Sequence, residues 1–398
     1  MKDIRKPAFM QEAMTGKGHA LALELLIAAA VFMVGSMLGG IIQVPATMVY
    51  MFTNRDYIHM LQTGALDFNL IMNIMTNMPA WMLGAMLLSE VGLIAAILLY
   101  CRFIEKRKLR TLGITKKAVV PSYAKGVALG LLTFGVVYGV CLLTGSVKFL
   151  ASPGEKISVG YFILFLVGYM IQGMAEELLC RGYLLVSLSR RNSVVASVVI
   201  SSVFFAVLHG MNAGISLLAL INLFLFGVME ALVFIRTENI WVAGAFHSIW
   251  NFAQGNIFGV QVSGMQVMPS VFGSEFVPGR QIINGGAFGI EGGIAVTVVS
   301  VAIIGIILQN MQKRGDFVEV ESIVQPQKIM PVNWQTIENN PLQNHQAPFQ
   351  GNNAGNPGYL NEAGENLPDR KNGLEHGQQP DGSAPVGQTG FDSSYFKD

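Results

Sequence analysis

The stretch VGYFILFLVGYMIQGMAEELLCRGYLLVSLSRR, residues 159–191, sets two adjacent carboxylates, Glu176 and Glu177, inside a long apolar run. About 20 apolar residues cross the hydrocarbon core of a bilayer. This run, residues 157–190 at its outer limits, is longer than that, so it reads either as one tilted helix or as a helix broken near Gly173. A charged side chain in hydrocarbon costs about 2.5–3.5 kcal/mol at a helix centre on insertion scales, which makes it a functional candidate by default.

The same apolar pattern recurs on both sides of this run. Residues 18–43, 80–103, 123–146, 193–210, 213–235, 239–258 and 290–310 are seven further stretches near the required length. The expected fold is therefore all-α, a polytopic transmembrane helical bundle of about eight spans. Composition agrees: 52% of the 398 residues are hydrophobic and 13% charged, half the roughly 25% charge of a soluble domain. The bilayer is thus one expected partner, and nothing in the charge pattern points to nucleic acid.

The first apolar run follows a mixed polar start with Lys2, Arg5, Lys6 and Lys17. It is too long for a signal-peptide core, so it is read as the first span. Lys and Arg then choose the orientation. They crowd residues 102–117 and recur at Arg190-Arg191, Arg236 and Lys313-Arg314. With eight spans all of these fall on one face, which should be cytoplasmic with both termini inside, in a multi-pass protein of the cell membrane.

Four segments result. Residues 1–122 hold an N-terminal cytoplasmic segment, the first two spans and a basic loop, and 123–260 hold a catalytic core. Residues 261–314 hold a Gly-rich outer loop and the last span. Residues 315–398 form a polar tail. Residues 311–398 carry six Lys or Arg against eleven Asp or Glu, and such a segment buries too little apolar surface to offset its ordering entropy. It is expected to be disordered and open to a protein partner. The glycine run from Gly285 to Gly293 lacks the lysine and the strand–turn–helix context of a phosphate loop, so a tight turn into the last span is expected. Residues 44–79 could form an interfacial helix. Cys101, Cys141 and Cys180 are too far apart for a disulfide framework or a thiolate zinc site.

The chemistry-bearing residues gather in three spans: Glu176, Glu177 and Arg181 in the fourth, His209 in the fifth, His247 and Asn251 in the seventh. Glu176 lies roughly 21 Å along its helix from the Arg190-Arg191 turn, and His209 roughly 26 Å beyond it, at 1.5 Å per residue. Antiparallel neighbours would bring both to similar depth. His247 and Asn251 share a helix face at i, i+4. A carboxylate can take a proton from water, imidazoles can orient that water or bind a metal, and an amide can donate to an oxyanion. Arg181 follows Glu177 at i+4 and can pair with it, leaving Glu176 freer to act as base. His, His and Glu are also a catalytic zinc set. Glu176, His209 and His247 are thus candidate ligands for a divalent metal such as zinc, although the two-histidine helix motif of zinc peptidases is absent.

The structural alternative is helix–helix hydrogen bonding, the commoner role of a lone intramembrane His or Asn. Glu24, Glu90 and Glu230 keep that structural reading, with Glu230 paired to Arg236, and Phe204 and Phe205 read as packing residues.

Taken together, E-E-x-x-x-R (Glu176 to Arg181), F-x-x-x-H (Phe205 to His209) and H-x-x-x-N (His247 to Asn251) resemble the CPBP family, the CAAX-protease and bacteriocin-processing membrane proteases. The likeness covers about residues 120–260. It implies an all-helical membrane domain and glutamate-dependent hydrolysis of a peptide bond in a membrane-associated peptide or protein. By position it makes Glu176 the general base, His209 the residue that orients water, and His247 and Asn251 the oxyanion partners. Glu177 and Arg181 would hold the site together. The rival readings are a non-catalytic scaffold or immunity protein of the same fold and, third, a transporter.

Overall fold

A chain that crosses hydrocarbon must satisfy its backbone internally, which leaves helices as the spanning element for apolar runs of this length. A computed structural model describes residues 2–14, 18–63, 78–153, 156–267 and 269–319. Its helices are α1 (Leu21–Thr53), α2 (Ala80–Ile104), α3 (Val119–Leu143), α4 (Val159–Leu188), α5 (Val194–Leu208), α6 (Leu217–Thr237), α7 (Ile240–Phe252) and α8 (Ile294–Lys313). Polar N-caps start four of them. Ser158, Ser193, Ser216 and Asn239 accept from the backbone N–H groups of Tyr161, Ala196, Ala219 and Trp241, which satisfies donors that no preceding turn can reach.

Six of the eight, α1 to α4, α6 and α8, are long and apolar enough to cross a membrane. The other two expected spans are shorter: α5 has 15 residues and α7 has 13. α7 is buried on nearly every side, with Val242 to Phe252 all inaccessible, and packs against α3 and α4. A helix apolar all round belongs in the middle of a bundle. It continues as a π-helical stretch at Ala253–Ile257, so it runs from the basic face toward the β2–β3 end while facing protein rather than lipid.

α4 runs unbroken through Gly173 and widens into a π-helical stretch at Leu178–Leu185, so of the two readings of this run the continuous helix holds. Residues 44–53 extend α1, and Arg55–Thr63 form a short helix; residues 64–77 lie outside the described residues. The glycine run makes 3-10 turns at Gly286–Phe288 and Ile290–Gly292 that lead into α8, as a tight entry turn requires. The polar tail expected from residue 315 lies outside the described residues beyond 319. Before that point, β4 (Phe317–Glu319) pairs antiparallel with β1 (Lys2–Ile4).

The basic connections meet on one face. Lys6 Nζ donates to Ser189 O at 2.5 Å, Arg190 pairs with Glu105 at 2.6 Å, and Arg236 Nε donates to Asn310 Oδ1 at 3.1 Å. Asp3 accepts from the backbone N–H groups of Val194 and Val195, both at 3.0 Å, at the start of α5. Arg110 donates to Glu12, and that bond holds the Glu12 carboxyl below the usual carboxylate range. At the opposite end, β2 (Val147–Leu150) pairs antiparallel with β3 (Gly273–Phe276), joining the α3–α4 connection to the long segment after α7.

Candidate active site

The E-E-x-x-x-R motif falls where α4 changes from α to π geometry, a local widening that is frequent at functional sites. Just before it, α4 meets α7 backbone to backbone. A Cβ on Gly173 would lie 2.6 Å from Ser248 N, so only glycine permits this approach. The contact sets Glu177 opposite His247, whose Nδ1–H donates to Glu177 Oε1 at 3.0 Å. Arg181 Nη1 pairs with the same oxygen at 3.0 Å, while Nη2 donates to Gly227 O on α6 at 3.1 Å. The guanidinium also lies 4.7 Å from the centre of the Phe205 ring. Glu177 and Arg181 are both fully buried. A pair this deep adds little net stability, but it fixes three helices around one charge network. Replacing Gly173 by Val should separate α4 from α7 and cost about 1–3 kcal/mol through overpacking. A thermal unfolding series in detergent, with peptide turnover measured alongside, would show both losses.

Glu176 points the other way, into a cavity of about 230 Å³. Its Oε1 accepts from Gln172 Nε2 at 2.5 Å, and Gln172 Oε1 accepts from Asn251 Nδ2 at 3.0 Å. Its Oε2 is buried without a hydrogen-bond partner and stands 3.8 Å from both His209 Nε2 and His247 Nε2. His209 caps the far end of α5 and donates its Nδ1–H to Phe205 O at 2.9 Å. Both imidazoles are therefore held through Nδ1, with Nε2 turned toward the free carboxylate oxygen. The cavity is also lined by Asn212, Val262, Ser263, Met265 and Glu291 from the connections opposite the basic face. Glu291 accepts from Trp250 Nε1 at 3.2 Å and from Ser263 N and Oγ at 2.6 and 2.9 Å. Asn212 Nδ2 donates to Ser263 O at 3.0 Å, so the Val262–Met265 turn is tied across that end of the cavity.

All six candidate site residues meet in this region, in two layers. Glu176, His209, His247 and Asn251 line the cavity, while Glu177 and Arg181 sit behind it. Gln172, Glu90 and Glu291 also line the cavity, and the motifs gave no sign of them. For Gln172 a signal existed, because it precedes Glu176 by one helical turn on the same face. Glu24 keeps its structural reading, accepting from His19 N at 3.1 Å and Tyr183 Oη at 3.5 Å. Glu230 does not pair with Arg236, whose guanidinium is turned to Asn310. Its carboxyl is fully buried without a hydrogen-bond partner, within electrostatic reach of Glu177 and Arg181.

The spacing of the three converging atoms bears on what they can hold. A water about 2.8 Å from each atom would see atoms 3.8 Å apart at about 85°. A zinc ion at about 2.1 Å would see them at about 130°, well open of the tetrahedral angle. Among the described residues, no group of three or more His, Cys, Asp or Glu side chains is arranged to hold a metal ion. As they stand, the side chains fit a water better than a tetrahedral metal.

Comparison with known families bears on the region that holds this site. Residues 158–253 match the type II CAAX prenyl endopeptidase Rce1-like family. The Rce1-like match runs from the N-cap of α4 to the end of α7 and includes all seven motif residues, in agreement with the resemblance read from the three motifs. It covers less than half of the chain. Glu90 and Glu291, which line the same cavity, and the Val262–Met265 turn lie outside the Rce1-like region. No curated protein matches the chain.

Proposed function

We propose that the chain is a glutamate-dependent endopeptidase that hydrolyses a peptide bond of a membrane-associated peptide or protein within the bilayer. The observation that carries this reading is the convergence of the unpartnered Glu176 Oε2 with two imidazole Nε2 atoms inside a cavity. A water between them is positioned to lose a proton to Glu176 and attack a carbonyl carbon on its other side. His209, whose Nδ1–H is spent on Phe205 O, offers an Nε2 lone pair that accepts from the same water and so orients it. Asn251 has one amide hydrogen engaged by Gln172 and a second available to the developing oxyanion. His247, held by Glu177, stands beside it. Collapse of the tetrahedral intermediate breaks the C–N bond, and the proton held by Glu176 passes to the departing amine.

The basic face is cytoplasmic in this reading, following the distribution of Lys and Arg, and both ends of the helical unit meet there through β1 and β4. The cavity then opens in the outer half of the membrane. The purified, detergent-solubilised protein should cleave members of a peptide library in H2¹⁸O, placing one ¹⁸O in each new carboxylate, as read by mass spectrometry. His209→Ala should lower kcat/KM by about 10²-fold through loss of water orientation. A wild-type protein that cleaves nothing and a cellular phenotype indifferent to His209→Ala would instead favour the scaffold reading.

A further inference from the structure

One carboxylate on the cavity wall takes no part in this chemistry. Glu90 lies between the two halves of α2, Ala80–Ser89 and Val91–Leu99. Its backbone is fixed by an intimate contact with α1: a Cβ on Gly39 would lie 2.4 Å from Ser89 O, and one on Gly92 would lie 2.2 Å from Gly39 N. α1 and α2 therefore touch main chain to main chain on either side of Glu90, and its side chain is set on the wall that it shares with Glu176. The two carboxyls are near enough to feel each other's charge. Among the described residues, Glu90 makes no hydrogen bond or ion pair through its side chain.

The rest of the lining sharpens the point. Glu291 and one oxygen of Glu176 are satisfied by neighbours. Among the described residues no Lys or Arg lines the cavity, and the Arg181 guanidinium is fully buried behind Glu177. A carboxylate kept in an apolar wall without a partner is costly unless a proton, or a cation that enters the site, neutralises it. A negatively lined cleft draws cations in and repels anions, a C-terminal carboxylate among them. We infer that Glu90 selects substrates that carry an ammonium or guanidinium group beside the bond to be cleaved. The inference rests on the endopeptidase reading for the word substrate, but its binding test does not.

The test uses the full-length protein in detergent carrying Glu176→Gln, so that nothing is turned over. Fluorescent peptides that differ at one position, Lys, norleucine or Glu, are titrated with free and with acetylated amino termini. The Lys peptide should bind about tenfold more tightly than its norleucine counterpart, and the Glu peptide more weakly still. Adding Glu90→Gln should abolish the difference, while Glu90→Asp should keep part of it. A difference that persists between acetylated peptides assigns the cation to a side chain. One seen only between free and acetylated termini assigns it to an α-amino group. Equal affinities in the parent protein, or a preference that survives Glu90→Gln in a monodisperse sample, would overturn the inference. Cleavage by the wild type is scored separately. A charge preference in binding with no turnover would sink the endopeptidase reading and leave the role of Glu90 in place, whereas Glu176-dependent turnover without charge preference would do the reverse.

Discussion

Glu176→Gln is expected to lower kcat/KM for peptide hydrolysis by about 10³-fold or more while leaving the fold intact, since general-base catalysis contributes about 10²–10⁴-fold. The substitution keeps the side chain's size, and its amide oxygen can still accept from Gln172 in place of Oε1. What it removes is the carboxylate between the two imidazoles that, in the proposed reaction, takes a proton from water and returns it to the amine. An unfolding temperature within a few degrees of wild type would show that the loss is chemical. Turnover near the wild-type level would place the base elsewhere.

Arg181→Met should be the most destabilising single change at the site. It leaves the Glu177 carboxylate fully buried with His247 as its remaining partner, and breaking a buried pair from one side costs about 3–5 kcal/mol. The double variant Glu177→Gln/Arg181→Met should recover much of that loss, because the uncompensated charge goes and the Gln side-chain oxygen still accepts from His247 Nδ1. Thermal unfolding of the wild type, both single variants and the double variant in one detergent closes the cycle. A double variant less stable than Arg181→Met would show that packing around the guanidinium, including its place over Phe205, outweighs the charge.

Much of this was legible in the chain. Apolar run lengths located the helices, and the Lys and Arg distribution sorted their connections onto one face. Of the seven residues that the three motifs name, the six read as site residues do come together. Hydropathy cannot separate a helix that faces lipid from one that faces protein, so the central place of α7 did not show. One error has an identifiable cause. Glu230 and Arg236 were matched on charge alone, although a separation of six residues places them on different faces of a helix. Gln172 and Glu291 went unremarked, and Glu90 was read as structural, for another reason. Their significance lies in sharing a cavity with Glu176, and Glu90 and Glu291 come from helices and turns far from it in sequence.

The pairing of β1 with β4 carries a consequence for biosynthesis. Lys2–Ile4 are made before, and Phe317–Glu319 after, the eight helices that lie between them, so β1 must wait unpaired until α8 has been made and inserted. Asp3, on that same strand, caps the start of the helix whose other end is occupied by His209. A chain arrested before α8 would lack the partner that steadies this strand, so the final seating of the imidazole is coupled to completion of the membrane domain.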